Sequence, residues 1–163
     1  MRVPTWLSAA TFITIVPGSI AGWIPVYIAN GSFSGPWTLS RLIGAVVVVI
    51  GWAILLWCTA DFVRRGFGTP SPHRAPTKLV VSGLFRFVRN PMYVGVVTAI
   101  EGFALAMGSW GTAVYGILAA IAFHLRVLLY EEPRLTREFG TEFTAYCARV
   151  PRWIPRSRGA GAG

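Results

Sequence analysis

Charged residues are scarce in this 163-residue chain: they make up 13% of it, whereas a typical soluble domain contains about 25%. Acidic residues are the scarcest, with 6 Asp and Glu against 15 Lys and Arg, which gives a net charge of +9. Hydrophobic residues account for 54% of the chain. This balance excludes an ordinary soluble domain, and it also excludes intrinsic disorder, which requires low hydrophobicity. The composition indicates a membrane protein.

The chain also has few cysteines. Cys58 lies in an apolar stretch and Cys147 in the charged C-terminal part, and neither has a Cys-x-x-Cys or Cys/His spacing beside it. The sequence therefore predicts neither a disulfide framework nor a zinc site, and no metal is expected. Both thiols are expected to be ordinary small side chains of the fold.

Four apolar stretches approach the length of about 20 residues that a helix needs to cross a bilayer. The third is short and contains Glu101, and a Gly-Ser-Trp-Gly turn joins it to the fourth. We therefore predict an all-α fold, a polytopic membrane protein with four transmembrane helices. The predicted spans are at about residues 6–29, 42–60, 92–107 and 112–130.

Basic residues are concentrated in two of the segments outside these spans. Residues 61–91 contain six Lys and Arg and residues 131–163 contain another six, whereas residues 31–41 contain one. Because Lys and Arg accumulate on the cytoplasmic side, both termini are predicted to be cytoplasmic. A cleaved signal peptide is the alternative for the first stretch. Nucleic-acid binding is disfavoured, because the basic residues lie where membrane topology places them. The use of Arg rather than Lys suggests a bacterial gene and thus a bacterial inner membrane.

The C-terminal part alternates charged and apolar residues. Residues 132–148 carry apolar side chains at intervals of three or four, which predicts an amphipathic helix at the inner membrane face. Prolines then end the helix, and Trp153 is expected to anchor at the headgroups. Residues 156–163 are predicted to be a disordered tail, which leaves residues 1–155 as a single membrane domain.

Ionisable residues inside the spans are the first indication of a site, because such groups are costly in a bilayer and usually serve a function. His124, near the end of the fourth span, is a candidate base because imidazole titrates near neutral pH. Arg126 is a candidate for holding an anionic group of a substrate, or else it snorkels to the headgroups. Glu101 either lines the deeper part of a substrate passage or pairs with a neighbouring helix.

Two adjacent carboxylates, Glu131 and Glu132, follow the fourth span. Seven residues of straight α-helix correspond to a rotation of about 700°, so His124 and Glu131 are predicted to share a face while Arg126 points elsewhere. Adjacent carboxylates at a membrane boundary favour a bound cation or cationic group, and a solvated helix end is the alternative. Pro133 is typical of a first helical turn and predicts a break between two helices.

Several short motifs, spread in order over about residues 66–155, resemble those of the isoprenylcysteine carboxyl methyltransferase and phospholipid methyltransferase superfamily of integral membrane enzymes. They are Lys-Leu-Val-x-x-Gly-x-Phe-x-x-x-Arg-Asn-Pro-x-Tyr at residues 78–93, Glu-Glu at 131–132, Phe-Gly at 139–140, Tyr146, and Val-Pro-Arg at 150–152.

The resemblance implies a cytoplasmic S-adenosylmethionine site formed by about residues 77–93 and 124–150. Glu131 corresponds to the cofactor-binding glutamate, with Glu132 beside it, and Arg126 is one residue away from the position of a substrate-binding arginine. Arg89 is expected to hold a carboxylate or a phosphate. The other implied cofactor-binding residues are Thr77, Lys78, Leu79, Val80, Phe85, Asn90, Pro91, Met92 and Tyr93. The catalytic candidates are therefore Arg126, Glu132 and His124.

The sequence departs from the isoprenylcysteine branch at three positions. Thr77 and Asn90 occupy positions where that branch has His, and Phe85 replaces a Tyr. Asn90 can still donate and accept hydrogen bonds, and Phe85 can still stack on an adenine. These departures weaken a prenylcysteine assignment more than a cofactor assignment.

The expected activity is methyl transfer from S-adenosylmethionine to a lipophilic or membrane-delivered acceptor, such as an isoprenylcysteine carboxylate or a phospholipid amine. An NADPH-dependent membrane enzyme similar to steroid reductases is the alternative, because those chains have a similar Arg-His-Pro-x-Tyr element. The Glu131 and Glu132 pair and the Phe-Gly element favour the methyltransferase. A small non-enzymatic membrane protein would explain the charge asymmetry but not the ordered motifs.

Overall fold

The computed structural model describes residues 15–30, 38–64 and 79–155, and the regular structure within these ranges is entirely helical. A 3₁₀ turn at Gly83–Arg86 precedes the third helix. The helices are α1 (Ile15–Ile28), α2 (Leu39–Arg64), α3 (Pro91–Met107), α4 (Trp110–Arg126) and α5 (Glu132–Arg149). The prediction of an all-α fold is confirmed for the described ranges.

Two helical stretches are long and apolar enough to cross a membrane, judged by length and composition: Leu39–Asp61 and Trp110–Arg149. α1 and α3 are shorter apolar helices. At 17 residues α3 is roughly 25 Å long, less than the ~30 Å of a hydrocarbon core. Four membrane crossings therefore remain a prediction. The start of the first predicted span and the C-terminal tail lie outside the described residues.

Small residues hold α2 and α3 together along their length. A Cβ added to Gly51 of α2 would lie 2.5 Å from the backbone nitrogen of Ala99, and one added to Gly102 of α3 would lie 2.6 Å from that of Val48. Glycine and alanine let two backbones approach this closely. Such contact is typical of helix pairs in membranes, where van der Waals packing drives association.

α3 is the central helix and also packs against α1 and α4. Tyr115 and Thr112 of α4 donate hydrogen bonds to carbonyls of α1, at Ile20 (3.1 Å) and Pro25 (3.3 Å). A π-helical turn occupies Ser19–Trp23, and Pro25 has no N–H to offer the Ile20 carbonyl five residues earlier. The Tyr115 hydroxyl donates to the Ile20 carbonyl instead of the missing N–H, and this hydrogen bond joins α1 to α4.

Glu101 lies between α3 and α4. Its Oε1 occupies the space that a Cβ on Gly116 of α4 would need, so the glycine makes room for the carboxyl group. This contact agrees with the predicted association of Glu101 with a neighbouring helix. Its role in a substrate passage remains a prediction.

α4 continues into α5 without a break, through a π-helical turn at Val127–Glu131. Pro133 explains this turn, because its ring would clash with the carbonyl of Leu129 in a straight α-helix. Pro133 lies in the first turn of α5, as predicted, and both glutamates lie at the junction with α4. The junction is a wider helical turn that relieves the clash, and the chain stays helical through it. α5 is itself kinked at Gly140, whose φ of 52° and ψ of −121° are not helical. The predicted amphipathic helix is therefore bent there, and its position at a membrane face remains a prediction.

Candidate functional site

Three segments converge where α3 begins. Pro91 is the first residue of α3, where its fixed φ suits a helix start, and the loop before it carries Arg89 and Asn90. The residues after α5 fold back onto this loop. The backbone N–H of Arg89 donates to the Pro151 carbonyl (2.9 Å), and the amide of Asn90 donates to the Arg152 carbonyl (3.3 Å). The π-helical turn between α4 and α5 is the third segment.

The first cluster of polar side chains joins α3 to this turn. The Tyr93 hydroxyl donates a short hydrogen bond to Glu131 Oε1, and its ring stacks on Phe123 with centroids 4.5 Å apart. Arg126 Nε donates to the Tyr93 oxygen at 3.0 Å and to Glu131 Oε1 at 2.9 Å. All these bonds use one carboxylate oxygen and one guanidinium nitrogen. Glu131 Oε2 and both Arg126 Nη groups have no hydrogen-bond partner among the described residues.

The pairing of Arg126 with Glu131 contradicts the prediction that Arg126 points away from this carboxylate. Five residues of straight α-helix would separate the two side chains by about 140°. The π-helical turn at Val127–Glu131 has more residues per turn and brings positions five apart onto one face. The prediction failed because it assumed a straight α-helix through Tyr130.

The second cluster surrounds Glu132. Arg152 binds this carboxylate through two bonds, from Nε at 2.8 Å and from Nη2 at 2.9 Å, and Arg89 Nη1 donates to it at 2.9 Å. Arg89 also donates to Cys147 Sγ at 2.7 Å. The Arg89 and Glu132 side chains are only 13% and 20% exposed, compared with 48% for Arg126 and 27% for Glu131. The two adjacent glutamates therefore differ mainly in their partners: arginines bind both oxygens of Glu132, whereas Oε2 of the half-buried Glu131 has no hydrogen-bond partner among the described residues.

Burial and arginine contact act in opposite directions on Glu132, which lies beyond the predicted fourth span. Burial raises its pKa. The hydrogen bond from Arg152 and the positive charges of Arg89 and Arg152 outweigh burial and hold the pKa of Glu132 below its ordinary value. Glu132 is thus an anion with its charge already compensated. This arrangement suits a supporting role better than contact with a ligand.

His124 is joined to the residues after α5 by Trp153. The indole Nε1 donates to His124 Nδ1 at 3.0 Å, and the Trp153 ring also lies 6.5 Å from the ring of Tyr93. Indole nitrogen is only a donor, so Nδ1 must accept and the neutral imidazole carries its proton on Nε2. Neutral His124 thus presents its Nε2–H as a hydrogen-bond donor, and its role as a base stays a prediction.

The remaining predicted site residues frame the two clusters. The Phe85 carbonyl accepts a hydrogen bond from Tyr146 (2.7 Å), and Met92 packs against the core between α2 and α3. Val80 and Pro91 are buried and Leu79 is half-buried. Thr77 and Lys78 lie outside the described residues. The structure thus brings together Arg89, Asn90, Tyr93, His124, Arg126, Glu131 and Glu132.

Two residues of the site were missed from the sequence, Arg152 and Trp153. We expected Trp153 to be a headgroup anchor and Arg152 to be one more basic residue of the C-terminal part. Two signals in the sequence could have indicated Arg152. It lies in the Val-Pro-Arg motif, and two adjacent carboxylates favour a nearby cation.

Comparison with known families gives one finding that covers most of this site. A family model described as phospholipid methyltransferase matches residues 39–142, more than half of the chain. The matched range extends from α2 into α5 and includes both glutamates, but it ends before Arg152. No curated protein matches the chain.

Proposed function

Because the chain belongs to the phospholipid methyltransferase family, we propose that it transfers a methyl group from S-adenosylmethionine to a lipophilic acceptor in the membrane. The accessible Glu131, held by Tyr93 and Arg126, is the observation that carries the proposal. The family membership favours this activity over the NADPH-dependent alternative, which nothing in the described residues supports.

The chemistry of the first cluster fits the proposed cofactor. A carboxylate with one free oxygen can accept hydrogen bonds from an ammonium group or from ribose hydroxyls, and Glu131 Oε2 meets this requirement. Tyr93 and Arg126 fix the other oxygen, so Glu131 would need little reordering on binding. Reduced reordering lowers the entropic cost of binding.

The chain itself would act by alignment. Bound at Glu131, S-adenosylmethionine would supply an electrophilic methyl group, which an acceptor lone pair would take as the S–CH₃ bond breaks and S-adenosylhomocysteine leaves. No charge accumulates that would require an oxyanion hole. Holding the reacting groups in line and excluding water therefore supply much of the catalysis. Glu131 would hold the methyl donor. Glu132, bound by Arg89 and Arg152, would fix the position of Glu131 without contacting the donor.

Arg126 is the proposed contact for the acceptor. Its side chain is 48% exposed, its guanidinium lies 5.7 Å from the centre of the Tyr130 ring, and its two Nη groups donate no hydrogen bond to the described residues. A guanidinium with two free N–H groups can bind a carboxylate or phosphate at two points. A lipophilic acceptor could thus place its anionic group at Arg126 while its tail stays in the bilayer beside α3 and α4. Lateral entry from the membrane follows from this placement.

The acceptor proposal is tested with Arg126→Lys. Lysine keeps a cation beside Glu131 but loses the two-point contact, so we expect the acceptor KM to rise roughly tenfold while affinity for S-adenosylhomocysteine stays within about threefold. Single-turnover and steady-state methylation of a membrane-lipid extract measure this. Arg134→Lys is the control, because Arg134 only pairs with Glu138 on α5. Near-wild-type methylation by Arg126→Lys would remove Arg126 from the acceptor site.

A further inference from the structure

Residues 150–154 cross the start of α3 and the end of α4 in a non-helical conformation. Their backbone is bound to the loop before α3, through the carbonyls of Pro151 and Arg152. Their side chains bind the other element, with Trp153 on His124 and Arg152 on Glu132. The segment thus joins α3 to the π-helical turn from outside the helices.

Arg152 provides the strongest of these contacts. It forms a two-point, charge-assisted pair with Glu132, which is the type of ion pair with the most defined geometry. Glu132 is the chain neighbour of Glu131, and two unpaired carboxylates in sequence would repel each other. By neutralising Glu132 together with Arg89, Arg152 leaves Glu131 free to pair with Tyr93 and Arg126.

We propose that residues 150–154 form a positioning strap in which Arg152, acting through Glu132, holds Glu131 in the orientation that binds the cofactor. Arg152 is a positioning residue, since its contacts are with Glu132 and not with the accessible cluster. The identity of the cofactor rests on the proposed function. The strap lies beyond the residues that match the family model, so the family match does not include it.

The binding test uses detergent-purified full-length chain titrated with S-adenosylhomocysteine. We expect Arg152→Gln to raise the Kd about tenfold, Arg152→Lys to raise it less, and Arg149→Gln to leave it unchanged. Arg149 is the matched control, because within the described residues its side chain donates only to the Ala145 carbonyl of its own helix. Glu132→Gln and the double variant Glu132→Gln/Arg152→Gln complete a double-mutant cycle, in which the Kd of each variant is compared. If the strap acts through Glu132, the double variant is no worse than either single one.

A second measurement does not depend on the cofactor. Cys147 lies beside Arg89 at the strap, whereas Cys58 is buried in α2 and serves as an internal reference. We expect Arg152→Gln to raise the rate of Cys147 alkylation by N-ethylmaleimide about fivefold, because a loosened strap opens locally more often. Arg149→Gln should not change it.

The outcomes separate this proposal from the proposed function. Faster Cys147 alkylation with weaker, non-additive binding supports the strap. Unchanged alkylation overturns it, and so does faster alkylation with unchanged Kd or with additive effects in the cycle. If the wild-type chain binds no S-adenosylhomocysteine, the proposed cofactor is wrong and the positioning role falls with it, while the alkylation rates still show whether Arg152 holds the segment.

Discussion

At the scale of single residues, the site depends on a difference between two neighbouring glutamates. Glu132 is enclosed by Arg89 and Arg152, whereas Glu131 shares one oxygen with Tyr93 and Arg126, and its other oxygen has no hydrogen-bond partner in the described parts of the chain. Identical side chains thus acquire different roles from their partners. The accessible one is suited to a ligand and the enclosed one to support.

The proposed cofactor-binding role of Glu131 predicts the effect of a conservative change. Glu131→Gln keeps the shape but removes the charge, so affinity for S-adenosylhomocysteine should fall by about 1.5–3 kcal/mol, the range for a hydrogen bond to a charged group. Tyr93→Phe should have a smaller effect, because it removes one hydroxyl and keeps the ring. Titration calorimetry on folded variants measures both. Unchanged affinity in Glu131→Gln would exclude the residue from the cofactor site.

The lowered pKa of Glu132 predicts a pH dependence of stability. A group whose pKa is lower in the folded state stabilises it above the unfolded value, ordinarily 4.5, and this contribution is lost as the pH falls through the folded pKa. The Tm difference between wild type and Glu132→Gln should therefore be largest above pH 4.5 and shrink on acidification. Glu142→Gln, on the exposed surface of α5, should show no such trend. A Tm difference for Glu132→Gln that grows towards low pH would contradict the assignment.

At the scale of elements, helix content could be predicted from the sequence but the turn that forms the site could not. The apolar stretches predicted the positions of α2 and α3 within a few residues, because a long run of apolar residues in the sequence marks an apolar helix. The π-helical turn at Val127–Glu131 depends on how Pro133 is relieved, which a straight-helix rotation cannot represent. The prediction that Arg126 points away from Glu131 was therefore wrong.

The packing of α2 against α3 predicts a strong asymmetry between two neighbouring positions. Gly51→Leu places atoms where the backbone of Ala99 lies, so it should destabilise the chain by about 1–3 kcal/mol, the usual cost of overpacking. Ala53→Leu, on the exposed side of the same helix, should be nearly neutral. Thermal unfolding in detergent compares the two. Equal Tm values would show that α2 and α3 are not in close contact.

At the scale of the whole molecule, the distribution of basic residues predicts the topology. Single cysteines at Ser71 and Ser157 should react with an impermeant maleimide only after cells are opened, and one at Ser34 should react in intact cells. These positions lie outside the described residues, and their placement follows from the charge counts alone. The parental chain gives the background from Cys58 and Cys147. Labelling of Ser34 and Ser71 from the same side would refute four spans.

The convergence of distant segments is where sequence reasoning was least complete. The motif residues at the start of α3 and at the end of α4 could be grouped through their resemblance to a family. The return of residues 150–154 onto them depends on tertiary contacts, such as Trp153 with His124, that no local pattern encodes. From the sequence, Arg152 was therefore interpreted as one of the basic residues that mark the cytoplasmic side, although in the structure it binds Glu132.

Titration calorimetry of the purified wild-type chain with S-adenosylhomocysteine, and separately with NADPH, tests the central claim without knowledge of the acceptor. The account predicts saturable binding of S-adenosylhomocysteine and none of NADPH, because we propose that Glu131 Oε2, which the described residues leave unpaired, binds the methyl donor. Binding of NADPH without binding of S-adenosylhomocysteine would contradict the proposed reaction.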